Sequence, residues 1–209
     1  MKKSKKSKTN FARIFLVRHG EVLNPKKIIY GWLPFSLNKK GQTQARKAGL
    51  LLKYKDIKVI FASPQKRCRQ TAAIIKKTIG RKIKIIIDKN LRESGLGHLR
   101  EGLTIEQADR KYPKEHLIYT RTPSRSNAGE TLDNMAKRMM KAIQGALKKY
   151  PNKNLVFVSH RDPILAVLLK ISQRDFNDLH RVKTNCTKGT VCEVWSMGKR
   201  LINKTYLAS

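Results

Sequence analysis

Short, unbroken apolar runs alternate along this chain with longer stretches whose apolar residues recur every three or four positions. Runs of strand length lie at 12–17, 57–62, 83–87 and 154–158. A last pair, 189–196 and 201–206, is joined by a turn around Met197-Gly198-Lys199-Arg200. Ile14-Phe15-Leu16-Val17 and Leu155-Val156-Phe157-Val158 contain no polar residue, as expected of strands covered on both faces. Between such runs, Cys68, Ala72, Ile75 and Ile79 step by four, three and four, which marks one buried stripe of a helix over 64–79. Ser63 is the expected cap of that helix and Pro64 a first-turn residue. Further helices are predicted over roughly 39–53 behind Asn38 and over 131–149, where Leu132, Met135, Met139, Ile143 and Leu147 share a face. Another begins at Asp162-Pro163, read as a cap followed by a first-turn proline. Strands alternating with helices predict an α/β fold, a three-layer α/β/α sandwich around a mostly parallel central sheet.

Residues 94–130 break the rhythm. They hold Gly95, Gly97, Gly102, Gly129, two prolines and a short helical stretch near 104–111. This segment reads as a small helical and loop insertion over a site rather than as a second domain. Residues 1–10 carry five lysines and no acid, and read as a disordered basic arm; 11–209 then form one domain. The apolar stretch after the arm is short, is broken by Arg13 and runs straight into Arg18-His19, unlike a secretory leader. No run approaches the length of a membrane span. Cys68, Cys186 and Cys192 form no C-x-x-C pair, so neither a zinc site nor a disulfide framework is expected, and a cytoplasmic setting is the default. Cys68 reads as a small core residue.

Charge changes the picture of partners. The chain has 47 Lys and Arg against 14 Asp and Glu, a formal net charge of +33. Such a surface draws anions in and speeds their encounter. The basic residues are scattered rather than gathered in one stripe, and no helix-turn-helix, aromatic RNP-like or finger pattern accompanies them. A small phosphorylated substrate is therefore expected, without a specific nucleic acid or a membrane partner. Oligomeric state stays open.

Candidate chemistry sits at strand ends. His19 follows the first strand, Arg67 the second at a helix start, Glu93 the third, and His160 the fourth. In an open α/β sheet the carboxyl ends of strands form the binding edge, so these residues are expected to meet. A neutral imidazole attacks phosphorus without prior deprotonation. Phosphoryl transfer needs mainly positioning and charge stabilisation, which the planar forks of Arg18 and Arg67 supply. Glu93, pushed toward its protonated form by a nearby phosphate, is placed to protonate the leaving oxygen. His98, His116 and His180 have no such context and read as surface or structural. The sequence holds no C-x5-R motif, no G-x-x-x-x-G-K-[ST] loop and no D-x-D pair.

These blocks resemble the histidine phosphatase superfamily, in its phosphoglycerate mutase-like branch. The resemblance rests on Arg18-His19-Gly20-Glu21 with Asn24 behind it, Gly31…Leu37…Gly41-Gln42…Ala45, Ser63-Pro64…Arg67…Thr71-Ala72, Leu91-Arg92-Glu93, Gly129-Glu130-Thr131…Arg138 and Val158-Ser159-His160. It covers residues 11–206. It implies that His19 is the phosphorylated nucleophile and Glu93 the proton donor. It further implies a phosphate pocket of Arg18, Arg67 and His160 with Asn24 contributing, and neither metal nor cofactor. Catalytic residues are then His19, Glu93 and His160. The chain departs from the family pattern at Pro34 and Ser36, and again at Arg161-Asp162, where small glycines are frequent. Only 67 residues separate Glu93 from His160, and Ser94-Gly95-Leu96-Gly97 follow the acid. Both features resemble the phosphatase side of the branch. The expected activity is a metal-independent phosphatase acting on phosphate monoesters through phosphohistidine. The alternatives are a cofactor-dependent phosphoglycerate mutase and a non-catalytic polyanion or nucleic-acid binder on the same fold.

Overall fold

The computed structural model describes residues 12–95, 100–126, 129–181, 186–197 and 200–207. The basic arm, His98 and Gly97 lie outside them. Six strands form one sheet: β1 (Ala12–Arg18), β2 (Ile57–Ala62), β3 (Lys84–Ile87), β4 (Asn154–Ser159), β5 (Val191–Met197) and β6 (Arg200–Leu207). Their order across the sheet is β3-β2-β4-β1-β5-β6. The β3-β2, β2-β4 and β4-β1 pairs are parallel, and β1-β5 and β5-β6 antiparallel. The predicted α/β/α sandwich is the observed one.

The unbroken apolar runs are explained by the layers. Alternate residues of one strand enter different cores. Phe15, Val17, Ile60, Val156 and Val158 pack under α1 (Lys39–Leu52) and α2 (Lys66–Ile79). Ile14, Leu16, Phe61, Leu155 and Phe157 pack under α5 (Leu132–Lys149) and α6 (Arg161–Ile171). Each large side chain so buried stabilises the fold by about 1.5–3 kcal/mol, which is why residues 14–17 of β1 and 155–158 of β4 are apolar on both faces. The Cys68 stripe of α2 is buried throughout, and burial pushes the Cys68 thiol up to about 12, an unreactive core sulfur.

Two helix starts differ from expectation. Asn38 caps α1 through Gly41 N–H, as predicted. Helix α2, however, begins at Lys66, with Gln65 at the cap position and no side-chain cap bond. Ser63 does not cap it, because the Ser63 backbone N–H still donates to Val158 O (3.0 Å) at the end of the sheet, and its hydroxyl is spent on His160 and Gln65. Helix α6 begins at Arg161 with His160 as the cap residue. Asp162 is therefore a first-turn residue and not a cap. Its carboxylate accepts from Tyr119 Oη (2.7 Å) and from Arg161 (2.9 Å).

The insertion contains more helix than the sequence suggests. Thr104 and Gln107 form a capping box for α3 (Ile105–Lys111), near the predicted position. A second helix, α4 (Pro113–Arg121), follows. It buries none of its residues, so apolar periodicity had nothing to register, and only Pro113 at its start marked it. His180 Nε2 lies 2.9 Å from the Tyr119 carbonyl oxygen and its ring meets the Tyr119 ring edge-on, a structural role as predicted.

Gly20 fixes the turn that ends β1. A Cβ there would run into the Gly41 carbonyl at the start of α1. Gly20→Ala is expected to destabilise the protein by about 2 kcal/mol, a drop in Tm of about 6 °C by calorimetry, because backbone on both sides must move. No helix among the described residues is long and apolar enough to cross a membrane.

Candidate active site

The sheet itself brings the two histidines together. β1 and β4 are adjacent and parallel, with Arg18 opposite Ser159. The next residue on each strand is a histidine, and His19 N–H donates to Ser159 O at 3.1 Å. The imidazole centroids lie 5.1 Å apart at an angle of 64°. A one-residue slip in either strand would send one of the rings to the opposite face.

Hydrogen bonds set the state of each ring. His19 Nδ1 donates to Gly20 O at 2.7 Å, so Nε2 carries the lone pair. That lone pair receives Arg67 Nε–H at 3.3 Å. In His160, Nδ1 accepts from Arg67 at 3.1 Å, while Nε2 faces Ser63 Oγ (2.9 Å) and Gln65 Oε1 (3.2 Å). Burial first and the Arg67 cation second hold both histidines well below the usual imidazole range. Both rings are therefore neutral at neutral pH, and His19 Nε2 is ready as a nucleophile.

Arg67 is the hub. It is fully buried, donates to Gly31 O (2.6 Å) and Leu33 O (3.3 Å), and its guanidinium lies 4.8 Å from the Tyr30 ring centroid. Among the described residues it forms no ion pair. Arg18 is half-buried: one of its terminal nitrogens donates to Cys186 O (2.6 Å), while its Nε is buried with no hydrogen-bond partner among the described residues. Among the described residues both guanidinium groups are held by neutral acceptors, and a desolvated cation so held favours an incoming anion. Two of them beside a nucleophilic imidazole make a seat for an anion.

Glu93 reaches the same place after the 3₁₀ turn at Lys89–Leu91. One carboxylate oxygen accepts from Ser94 N–H (3.0 Å), and the other lies 3.7 Å from His160 Nδ1. Burial, and then the Asp162 carboxylate, push the Glu93 carboxyl up to about 7. The group is thus poised to give and take a proton near neutrality. Asn24 lines the adjoining cavity with both ends of its amide bonded to the Ile28 backbone (2.8 and 3.2 Å), which closes the 24–28 turn.

The cavity beside these residues measures about 660 Å³ and is walled by Arg18, Tyr30, Glu93, Arg100, Tyr119 and Asp162. The last three come from the insertion and the start of α6, so the insertion does cover the site. His19 itself is only 1% exposed. A phosphoryl group must reach this imidazole to be attacked. Here the Arg67 guanidinium spans His19 and His160 and covers His19 Nε2. Four partners escaped the sequence reading of the site: Tyr30, Ser63, Gln65 and Tyr119. Asp162, taken for a cap, is a fifth. Its signal was visible as an acid directly after the second histidine motif.

The histidine phosphatase superfamily (branch 1) family model matches residues 14–205. A broad-specificity phosphatase of Saccharomyces cerevisiae is 30% identical over 200 residues, covering 92% of this chain and 84% of its own. An uncharacterized phosphatase of Bacillus subtilis is 32% identical over 163 residues, covering 78% of each. Among solved structures, YhfR of Bacillus stearothermophilus superposes with a TM-score of 0.85 at 23% identity, covering 93% of this chain and 96% of that one. With six ordered sequence blocks converging on one strand edge and a family match over nearly the whole described fold, the chain belongs to the histidine phosphatase superfamily.

Proposed function

We propose that the protein hydrolyses small phosphate monoesters through a phosphohistidine at His19 Nε2. The observation that carries this reading is the neutral His19 lone pair set beside the buried Arg67 and half-buried Arg18 guanidinium groups, neither ion-paired among the described residues. An arriving phosphoryl group draws Arg67 off Nε2 and onto its own oxygens, while Gly31 O and Leu33 O hold the guanidinium in place. The N–P bond forms as the bond from phosphorus to the ester oxygen breaks. Glu93 gives its proton to the departing oxygen. Water then attacks phosphorus, Glu93 takes the proton from that water, and the N–P bond breaks to release phosphate and restore the neutral ring. Arg18 and His160 complete the cradle, with His160 becoming a donor once the dianion favours its protonated form. Asn24 contributes by shaping the wall. Every step uses side chains of this chain alone. The buried free thiols suit a cytoplasmic setting.

The test is phosphate release from a panel of phosphoglycerates, sugar phosphates, nucleotides and phosphoserine in excess EDTA. Turnover in EDTA is the expected result. Activity that appears only on adding a divalent metal, or transfer between phosphoglycerate isomers without release, overturns the reading.

Glu93→Gln gives a sharper expectation. Glycerol phosphate, which needs a proton on its leaving oxygen, should lose about a hundredfold in kcat, and p-nitrophenyl phosphate less than about tenfold. The proton donor exists below the Glu93 value of about 7 and is lost as pH rises through it. Wild-type kcat/KM on glycerol phosphate should therefore fall between about pH 6 and pH 8, and the Gln variant should lack that limb. Equal losses on both esters would remove Glu93 from the acid role.

A further inference from the structure

A second and larger cavity, about 950 Å³, lies on the far side of the Trp32–Arg92 wall, between the first turns of α2 and the edge of the sheet. Its floor is apolar, with Ile85 and Ile87 of β3 exposing alternate side chains to it; Ile87 is 48% exposed and Trp32 46%. Lys66, Arg69, Lys89 and Arg92 line it, no carboxylate does, and none of the four forms an ion pair among the described residues. β3 is the end strand and pairs only with β2 among the described strands. Its outer backbone groups are therefore open to another strand.

We infer that this groove docks an extended acidic peptide segment of a partner protein, which adds as a strand to β3 and places its carboxylates against the four cations. Strand addition supplies backbone hydrogen bonds and turns every second side chain of the guest into the groove, where apolar ones meet Ile85 and Ile87 and acidic ones meet the cations. Charge complementarity selects an acidic guest. A single-stranded nucleic acid would also meet the cations, but it binds by stacking bases on open aromatic faces. The Trp32 face is taken by the Arg92 guanidinium, 4.7 Å from the ring centroid. The groove meets the phosphoryl cradle only at Gln65, and none of its four cations contacts the two histidines among the described residues, so docking does not depend on the proposed catalysis.

The probe is the fluorescein-labelled decapeptide Ser-Glu-Ser-Val-Ser-Glu-Ser-Val-Ser-Glu, whose Glu and Val alternate along one face of a strand, followed by anisotropy at low salt with the full chain. A decapeptide of Glu alone and a deoxythymidine decamer are the comparisons. The alternating peptide should bind at least about tenfold tighter than either, although both carry more charge, and binding should weaken as salt rises. The double variant Arg69→Glu, Lys89→Glu should weaken it about tenfold while leaving p-nitrophenyl phosphate turnover unchanged, since both side chains are exposed and neither lines the cavity at Arg18 and Glu93. Hydrogen exchange should slow at amides within 84–87 when the alternating peptide is bound. No binding, equal or tighter binding of polyglutamate or the oligonucleotide, full binding by the double variant, or unchanged exchange in β3 would each overturn the proposal.

Discussion

His19→Ala is expected to lower kcat for p-nitrophenyl phosphate by at least about a thousandfold, with little change in Tm. The substitution removes the atom proposed to form the N–P bond, so remaining turnover is expected to come from direct attack by water in a cradle that still binds phosphate. The fold should survive because the ring makes one bond to its own neighbour, Gly20 O, and one to Arg67. The check has two readouts. Steady-state assays give kcat, and an acid-sensitive, base-stable phosphoryl label on the protein after brief mixing with substrate should be present in the wild type and absent in the variant. A variant that keeps its turnover, or keeps the label, would remove His19 from the nucleophile role.

Arg67→Lys is expected to lower kcat/KM by about a hundred- to a thousandfold, the next largest effect. Arginine here does two jobs with one planar group. It is anchored by Gly31 O and Leu33 O, and it presents its remaining donors between the two imidazoles. A lysine ammonium is a point charge that reaches one of these places at a time, so either a carbonyl is left without its donor or the phosphoryl oxygens are. An orphaned buried carbonyl costs about 1–3 kcal/mol, so Tm should also fall. Vanadate, which takes on the five-coordinate shape of the transition state, separates the two effects. Its inhibition should weaken by a factor close to the loss in kcat/KM, whereas a change confined to stability would leave vanadate binding intact.

Much of this site was legible before any coordinates. The apolar runs ending in Arg18-His19 and Ser159-His160 marked two strands covered on both faces, and the carboxyl ends of such strands are where ligands gather. What the sequence did not carry was how closed the cradle is. The burial of His19 follows from Arg67 reaching back to Gly31 and Leu33, contacts spanning more than thirty residues that no local pattern encodes. The misplaced caps at Ser63 and Asp162 share a cause. Short polar residues at a strand-to-helix junction favour capping in general, but here the junction is the site, and their oxygens were taken by His160 and by Tyr119. The unseen helix α4 has a different explanation: with no buried face, it left no periodic trace.

The parts of this centre differ in how firmly they are mounted. Both nitrogen bases ride on neighbouring strands whose ladder hydrogen bonds fix their separation, while the carboxyl groups and Tyr119 come from a turn, an inserted helix and a helix start. Substitutions at Tyr119 or Asp162 can therefore reshape the space for the departing alcohol while the spacing of the two imidazoles stays fixed.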